Sequence, residues 1–362
     1  MKKVRDSNLE VYRIIVMFLI VAHHYVVNSG LHTVVRDAVP SLSSISMLLF
    51  GAWGKTGINC FVLITGYFMC RSNISLRKFL KLYLQIIFYA VGIYIIFCVS
   101  GHETFSPIGF ARTFFPVWNI SDGFVECFII FYLLIPFLNL FVNAMDKRQH
   151  LILVMLLVGV YTMLPMVGVH VKFNYVTWFV VLYFIASYIR LYNWGEEITH
   201  RKWGVFMLSL IVIASVSIVS MYFLYKKGYI GEYNPYIFVA DSNKILALAV
   251  AVASFMWFKS LSMSYSAIIN AVGASTFGVL LIHANCETMR QWLWRETVDC
   301  VGHFSGDAPG MTLIYAITAV LTVFILCSVI DHCRSRLLEP YVLDPVHSLL
   351  QRTYSSRRST PA

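Results

Sequence analysis

The stretch of this chain that carries the most information runs from Ser7 to Gly30 and reads SNLEVYRIIVMFLIVAHHYVVNSG. It has the length and apolarity of a membrane helix, yet it contains Glu10, Arg13, His23 and His24. An ionisable side chain inside a membrane segment is costly unless it is paired or faces a polar cavity. These four residues therefore make the segment a candidate functional helix.

The helical period places Arg13 and His24 on one face of this segment. His24 is eleven positions after Arg13, a rotation of about 1100°, which returns to within about 20° of the starting face roughly 16 Å along the axis. Glu10 lies three residues before Arg13, at a spacing that allows an ion pair. We predict that Arg13 and His24 line a common passage. His23 lies about 100° away and is the weaker candidate.

The composition indicates an all-α integral membrane protein. Hydrophobic residues make up 59% of the 362 residues and charged residues 13%, whereas a soluble domain contains about 25% charged residues. Apolar, helix-length segments predict ten transmembrane helices, at 9–27, 57–70, 79–99, 124–142, 151–167, 175–189, 205–225, 236–258, 267–283 and 311–330. Residues 42–53 are expected to dip into the bilayer beside the second helix. We predict one membrane domain, 1–331, followed by a short basic cytoplasmic tail, 332–362.

The distribution of basic residues predicts the orientation. With these helices, 18 Lys and Arg residues lie on the side of the two termini and 8 on the opposite side. Basic loops stay in the cytoplasm, so both termini are expected there. The basic residues behind the net charge of +10 therefore set the orientation of the protein in the lipid membrane. They do not indicate a nucleic-acid partner. The MKKVR start resembles a signal peptide, but we expect a retained first helix.

The eight cysteines show no metal-ligand spacing, and no metal is expected. Cys286 and Cys300 fall in one predicted outer loop. A disulfide between them is an open alternative if that side is oxidising.

Four blocks of sequence resemble the membrane acyltransferase-3 family, the bacterial enzymes that acylate cell-envelope glycans. The first is Arg13 with His24, which match the family's Arg-x10-His pattern. The others are GINCFVLITGYF at 57–68, YLLIPFLN at 132–139 and STFGVLLIH at 275–283. They occur in the family's order and span most of the chain. Thr65 stands in place of the usual Ser, and Asp122-Gly123-Phe124 in place of Tyr-Trp-Phe, a departure expected to affect the acceptor side.

The resemblance implies an O-acyltransferase of the bacterial cytoplasmic (inner) membrane. It would most simply transfer acetyl from acetyl-CoA to a hydroxyl of a cell-surface polysaccharide or lipid-linked glycan. His24 would be the general base or an acyl-histidine nucleophile, and Arg13, held by Glu10, would bind the donor. Arg77, Lys78 and Lys81 would form a basic surface for the acyl-CoA phosphates.

Other interpretations of the same residues stay open at this point. A glycan transporter or flippase without acyl chemistry would also place Arg and His inside the membrane. The cluster of Arg77, Lys78 and Lys81 is equally explained by the positive-inside rule. The acceptor, the choice of acetyl, succinyl or a longer acyl group, and homo-oligomerisation are not determined by the sequence.

Overall fold

The computed structural model describes residues 7–348, apart from 119, 121–122, 173, 232–233, 307, 309, 344 and 347. All regular structure in these residues is helical. The helices are α1 (Ser7–Val27), α2 (Leu31–Asp37), α3 (Leu42–Gly51), α4 (Gly54–Met69), α5 (Leu76–Val99), α6 (Pro107–Thr113), α7 (Phe124–Ala144), α8 (Lys147–Val158), α9 (Leu164–Met166), α10 (Tyr175–Leu191), α11 (His200–Lys226), α12 (Ile245–Ser260), α13 (Ala267–His283), α14 (Glu287–Gln291), α15 (Cys300–Gly306) and α16 (Met311–Leu337), with π-helical turns at Gly159–Met163 and Trp292–Thr297.

Side-chain caps explain where several helices begin. Ser75, Asn174 and Ser266 each accept a hydrogen bond from a backbone N–H in the first turn of α5, α10 and α13. Asp146 and Gln149 form a reciprocal capping box at α8. Each cap satisfies an N–H that the helix itself leaves without a partner.

Each of the ten predicted segments is helical over most of its length in the structure, and several can span a membrane. Within the described residues, seven helices are long and apolar enough, or up to eight if α13 and the bent segment after it count as one span. Helices α10 and α12, of seventeen and sixteen residues, are apolar but shorter. The all-helical membrane architecture is confirmed, while the number ten and the cytoplasmic termini remain predictions.

Three predicted boundaries differ from the structure. Residues 42–53 and the second helix form one candidate span, Leu42–Met69. The helix predicted at 236–258 begins only at Ile245, because the residues before it form turns. Helix α16 continues to Leu337, so the first residues of the predicted tail belong to the helix bundle. Residues 349–362 lie outside the described part of the chain.

Helix α1 lies inside the bundle and packs against α3, α4, α13 and α16. Glycines permit this close approach. A Cβ at Gly54 would lie 2.2 Å from His23 Cγ, and a Cβ at Gly57 would lie 2.8 Å from Ile20 Cγ1. On α13, a Cβ at Gly273 would lie 2.3 Å from a carboxylate oxygen of Glu10. The polar face of α1 is therefore held between two glycine-bearing helices.

A buried polar network joins α16 to α5. Asp331 Oδ1 accepts hydrogen bonds from Arg334 Nε at 2.9 Å, Gln85 Nε2 at 3.0 Å and Tyr89 Oη at 2.9 Å. The Asp331 and Arg334 side chains are only 3% and 8% exposed. Gly278 of α13 leaves the space that the Asp331 carboxylate occupies. Arg334, which the sequence assigns to the tail, is thus part of the core.

The cysteines are free thiols in the described residues, Cys286 and Cys300 among them. Cys300 is buried, and Cys286 is partly buried. The disulfide that the sequence leaves open is not formed.

Candidate active site

A cavity of about 680 Å³ lies at the end of the bundle where α1 ends. We call it the His24 cavity. It is lined by α1 residues from Met17 to Val27, including both histidines, and by the basic residues Lys55, Arg112 and Arg290 with one carboxylate, Glu126. Its volume lies within the range of about 300–1,000 Å³ that is usual for small-molecule sites.

His24 forms a hydrogen-bonded chain with a histidine from α13. His24 Nδ1 lies 2.9 Å from His283 Nε2, and His283 Nδ1 lies 2.6 Å from the carbonyl oxygen of Val279. A carbonyl oxygen can only accept, so His283 Nδ1 carries a proton and its Nε2, in the neutral ring, does not. His24 Nδ1 must then donate to His283. The other nitrogen of His24, Nε2, is left unprotonated in a side chain that lines the cavity.

His23 lies beside His24 but has a different partner. Its Nδ1 donates to the carbonyl oxygen of Gly51 at 2.6 Å, and its ring packs against Gly54. His23 also lines the His24 cavity. The structure therefore places both histidines at the cavity, whereas the helical period alone favours His24.

Arg13 forms the ion pair with Glu10 that the spacing predicts. Arg13 Nη1 lies 3.0 Å from Glu10 Oε2, and the two side chains are 19% and 5% exposed. Arg13 does not line the His24 cavity. The nearest α1 residue that does is Met17, one helical turn further along.

A second cavity of about 440 Å³ lies at the opposite end of α1. We call it the Tyr67 cavity. It touches α1 at Ser7, Asn8 and Leu9, and Leu9 is one turn before Arg13. Residues 9, 13, 17, 20 and 24 fall within about 80° of one another on the helix. Arg13 therefore lies on the face of α1 that joins the two cavities, in a layer that separates them.

Aromatic side chains occupy part of this separating layer. Phe61 of α4 stacks on Phe277 of α13, with ring centroids 6.3 Å apart, and Phe128 of α7 contacts both rings. Phe61 lines the His24 cavity and Tyr67, six residues further along α4, lines the other. The layer is thus about 9–12 Å thick, since each residue advances a helix by about 1.5 Å. Arg13 lines neither cavity, and an open passage from Arg13 to His24 remains a prediction.

The basic cluster predicted to dock the donor lies away from both cavities. Lys81 Nζ lies 2.6 Å from Glu339 Oε1, in the network that includes Arg334. Lys78 Nζ donates to Ser72 Oγ and to the carbonyl oxygen of Asn73, each at 2.9 Å. Arg77 is exposed and, like the two lysines, lines neither cavity. A donor role for these three residues remains a prediction.

Residues of the other matching blocks hold helices together. Asn139 Nδ2 donates to the carbonyl oxygens of Met69 and Ser72 at the end of α4, and Tyr183 donates to Asn139 Oδ1. Buried Asn59 accepts from Trp178 Nε1 at 2.8 Å. Asp122 lies outside the described residues.

The sequence predicts no role for His283, which appears there only as the last residue of the 275–283 block. The signal was present, because the 275–283 block ends on this histidine. The sequence does not show that His24 and His283, which are 259 positions apart in the chain, are in contact. It likewise gives no indication that Lys55, Arg112 and Arg290 meet at one cavity.

Comparison with known families identifies the chain. A family profile described as an acyltransferase domain, that of the acyltransferase-3 family, matches residues 6–332 of 362. Searches of curated proteins and of solved structures return no significant match. The profile covers every helix from α1 to most of α16, and it does not favour a transporter. The chain therefore belongs to the acyltransferase-3 family and is a multi-pass membrane acyltransferase.

Proposed function

We propose that this protein is an O-acetyltransferase of the bacterial cytoplasmic membrane that moves acetyl from acetyl-CoA to a hydroxyl of a cell-surface polysaccharide or lipid-linked glycan. The observation that supports it most directly is the chain from His24 through His283 to Val279 at a cavity. A hydroxyl is a poor nucleophile until a positioned base takes its proton, and neutral histidine suits this near pH 7.

In this mechanism His24 Nε2 accepts the proton of the acceptor hydroxyl. The hydroxyl oxygen attacks the thioester carbonyl, the new C–O bond forms, and the C–S bond breaks. The departing thiolate takes the proton back from His24. His283 holds the Nδ1–H of His24 throughout, which keeps Nε2 as the reacting nitrogen and stabilises the imidazolium.

The same geometry allows an acyl-histidine intermediate, with His24 Nε2 attacking the thioester first. The two routes differ in one measurable property. Only a covalent intermediate lets labelled CoA exchange into acetyl-CoA when no acceptor is present. Such exchange would select the two-step route, and its absence alongside transfer would select the direct one.

The decisive experiment uses purified protein in lipid nanodiscs with labelled acetyl-CoA and envelope glycans as acceptor. We expect His24→Ala to lower the transfer rate by about 10²–10⁴-fold, the range attributed to a general base. Arg13→Ala should also lower transfer. Transfer that survives the His24 change and is abolished by His23→Ala would overturn the assignment of the base. Saturable glycan flux without acyl transfer would favour the transporter.

The acceptor is best identified in cells. Mass spectrometry of envelope glycans from a deletion strain should show the loss of one acetyl increment from a single glycan. The loss of a succinyl or longer increment would correct the proposed donor group while leaving the acyltransferase intact.

A further inference from the structure

The Tyr67 cavity combines burial, positive charge and an unused donor. Its lining includes Tyr67 from α4, Lys259 from the end of α12 and Glu196 from the loop after α10. Tyr67 is 4% exposed, and the Lys259 side chain is 13% exposed. None of these residues is used by the chemistry at His24.

Two cations converge on the Tyr67 ring. Arg190 Nη1 donates a hydrogen bond to the Tyr67 hydroxyl, and its guanidinium lies 4.5 Å from the ring centroid. Lys259 Nζ lies 5.9 Å from the same centroid. The Tyr67 oxygen thus accepts from Arg190, and no acceptor for its own O–H is found among the described residues. Arg190 polarises this hydroxyl and leaves its proton available to a ligand.

The local charge favours an anion. Among the described residues that line the cavity, Glu196 is the one carboxylate; it lies 2.9 Å from Lys259 Nζ and is 52% exposed. A half-exposed carboxylate is screened by solvent and neutralises its partner incompletely. The partly buried ammonium and the tyrosine hydroxyl together present the donors that a phosphate oxygen needs.

The position of the cavity limits what such a ligand can be. It lies at the end of α1 opposite His24, across the layer of about 9–12 Å that contains Arg13. A donor bound in this cavity must carry its reactive group across that layer to His24. It therefore needs an anionic head and a narrow, neutral arm. A thioester donor carried on a phosphorylated nucleotide has this form.

We propose that the Tyr67 cavity binds the phosphate-bearing nucleotide end of the acyl donor, with Lys259 and the Tyr67 hydroxyl contacting phosphate and Arg190 positioning Tyr67. This rests on the proposed acyl-CoA-dependent function. It places donor docking here and not at the cluster of Arg77, Lys78 and Lys81, which lines neither cavity.

The test compares two donors, acetyl-CoA and the acetyl thioester of N-acetylcysteamine, which lacks the nucleotide. We expect Lys259→Gln to raise the KM for acetyl-CoA about tenfold or more, the effect of losing one charge-assisted hydrogen bond, with little change in kcat. Tyr67→Phe, which keeps the ring, should raise it less. Neither variant should alter the rate with the truncated donor.

Two matched variants sharpen the result. Glu196→Gln removes the opposing charge from the same cavity and should lower the KM for acetyl-CoA. Lys81→Gln removes a basic residue from the alternative cluster and should leave that KM unchanged. Unchanged KM values for Lys259→Gln and Tyr67→Phe, or a raised value only for Lys81→Gln, would overturn the proposal.

A direct binding measurement separates this proposal from the proposed function. Adenosine 3′,5′-bisphosphate, the phosphorylated nucleotide fragment of CoA, should bind wild-type protein and bind Lys259→Gln about tenfold more weakly. Binding of this kind without any acyl transfer would support the nucleotide site and contradict the transferase. Transfer from acetyl-CoA without Lys259-dependent binding would contradict the nucleotide site alone.

Discussion

His283 shows how a single residue can direct the chemistry of another. Both of its ring nitrogens are engaged, Nδ1 by the carbonyl oxygen of Val279 and Nε2 by His24. It is fully buried and reaches a ligand only through His24. We therefore regard His283 as a positioning residue, whose role is to fix which nitrogen of His24 carries the proton.

Replacing His283 should affect turnover more than donor binding. With His283→Phe, His24 Nδ1 loses its acceptor and the ring is free to protonate on Nε2, so kcat should fall about tenfold or more. The KM for acetyl-CoA should stay within about twofold, because the Tyr67 cavity is untouched. Steady-state kinetics in nanodiscs would measure both parameters.

His283→Gln provides the control for this prediction. A glutamine carbonyl can accept from His24 Nδ1 and should restore part of the lost kcat. Equal losses in His283→Gln and His283→Phe, accompanied by equal losses of thermal stability, would indicate that His283 only supports packing.

At the scale of helices, the contact between α1 and α4 depends on small residues. Gly54→Ala would force a Cβ to 2.2 Å from the His23 ring, which requires the helices or the ring to move. Overpacking of this kind costs about 1–3 kcal/mol. We expect a lower thermal unfolding temperature in detergent and reduced acyl transfer, since the displaced ring lines the His24 cavity.

Gly92 of α5 is the matched control, because a Cβ there meets no heavy atom within 4 Å. Gly92→Ala should be neutral or stabilising by up to about 1 kcal/mol, the difference in helix propensity. Equal destabilisation by Gly92→Ala and Gly54→Ala would contradict the packing argument.

The network at Asp331 makes a second prediction about helices. Asp331→Ala removes the nearer carboxylate of the buried Arg334 guanidinium and leaves it only Glu339, whose Oε2 lies 3.4 Å from Arg334 Nη1. Breaking a buried pair costs about 3–5 kcal/mol, and we expect a loss at or below the lower end of this range. Adding Arg334→Met removes the partly compensated charge and should recover part of the loss. Thermal unfolding of the single and double variants would measure the coupling, and simple additivity would show that the pair does not interact.

For the whole molecule, the orientation in the membrane can be tested directly. Val39, between α2 and α3, is 82% exposed at the His24 end of the bundle. Ser264, between α12 and α13, is exposed near the start of α1. With cytoplasmic termini, a membrane-impermeant maleimide should label Val39→Cys in intact cells and Ser264→Cys only after permeabilisation. The reverse pattern would invert the topology and move the His24 cavity to the cytoplasmic side.

Much of the architecture was predictable because each membrane helix is marked by a continuous apolar segment of the sequence. A bilayer requires long apolar segments with internally satisfied backbones, so the ten segments could be located from composition alone. The ion pair between Glu10 and Arg13 was predictable for the same reason, since residues three apart meet on any helix. Two boundaries were wrong: α12 begins at Ile245, after the polar residues 241–244, and α16 continues to Leu337 through the polar segment that contains the buried Asp331 and Arg334.

The sequence by itself determined the helical membrane class, the family blocks and the shared face of Arg13 and His24, because each depends on spacing within one segment. Only the tertiary structure decided the pairing of His24 with His283, the position of Arg13 in the layer between the two cavities, and the meeting of Tyr67 with Arg190 and Lys259. Those contacts join residues more than a hundred positions apart. They arise from how the helices pack against one another, which no local pattern encodes.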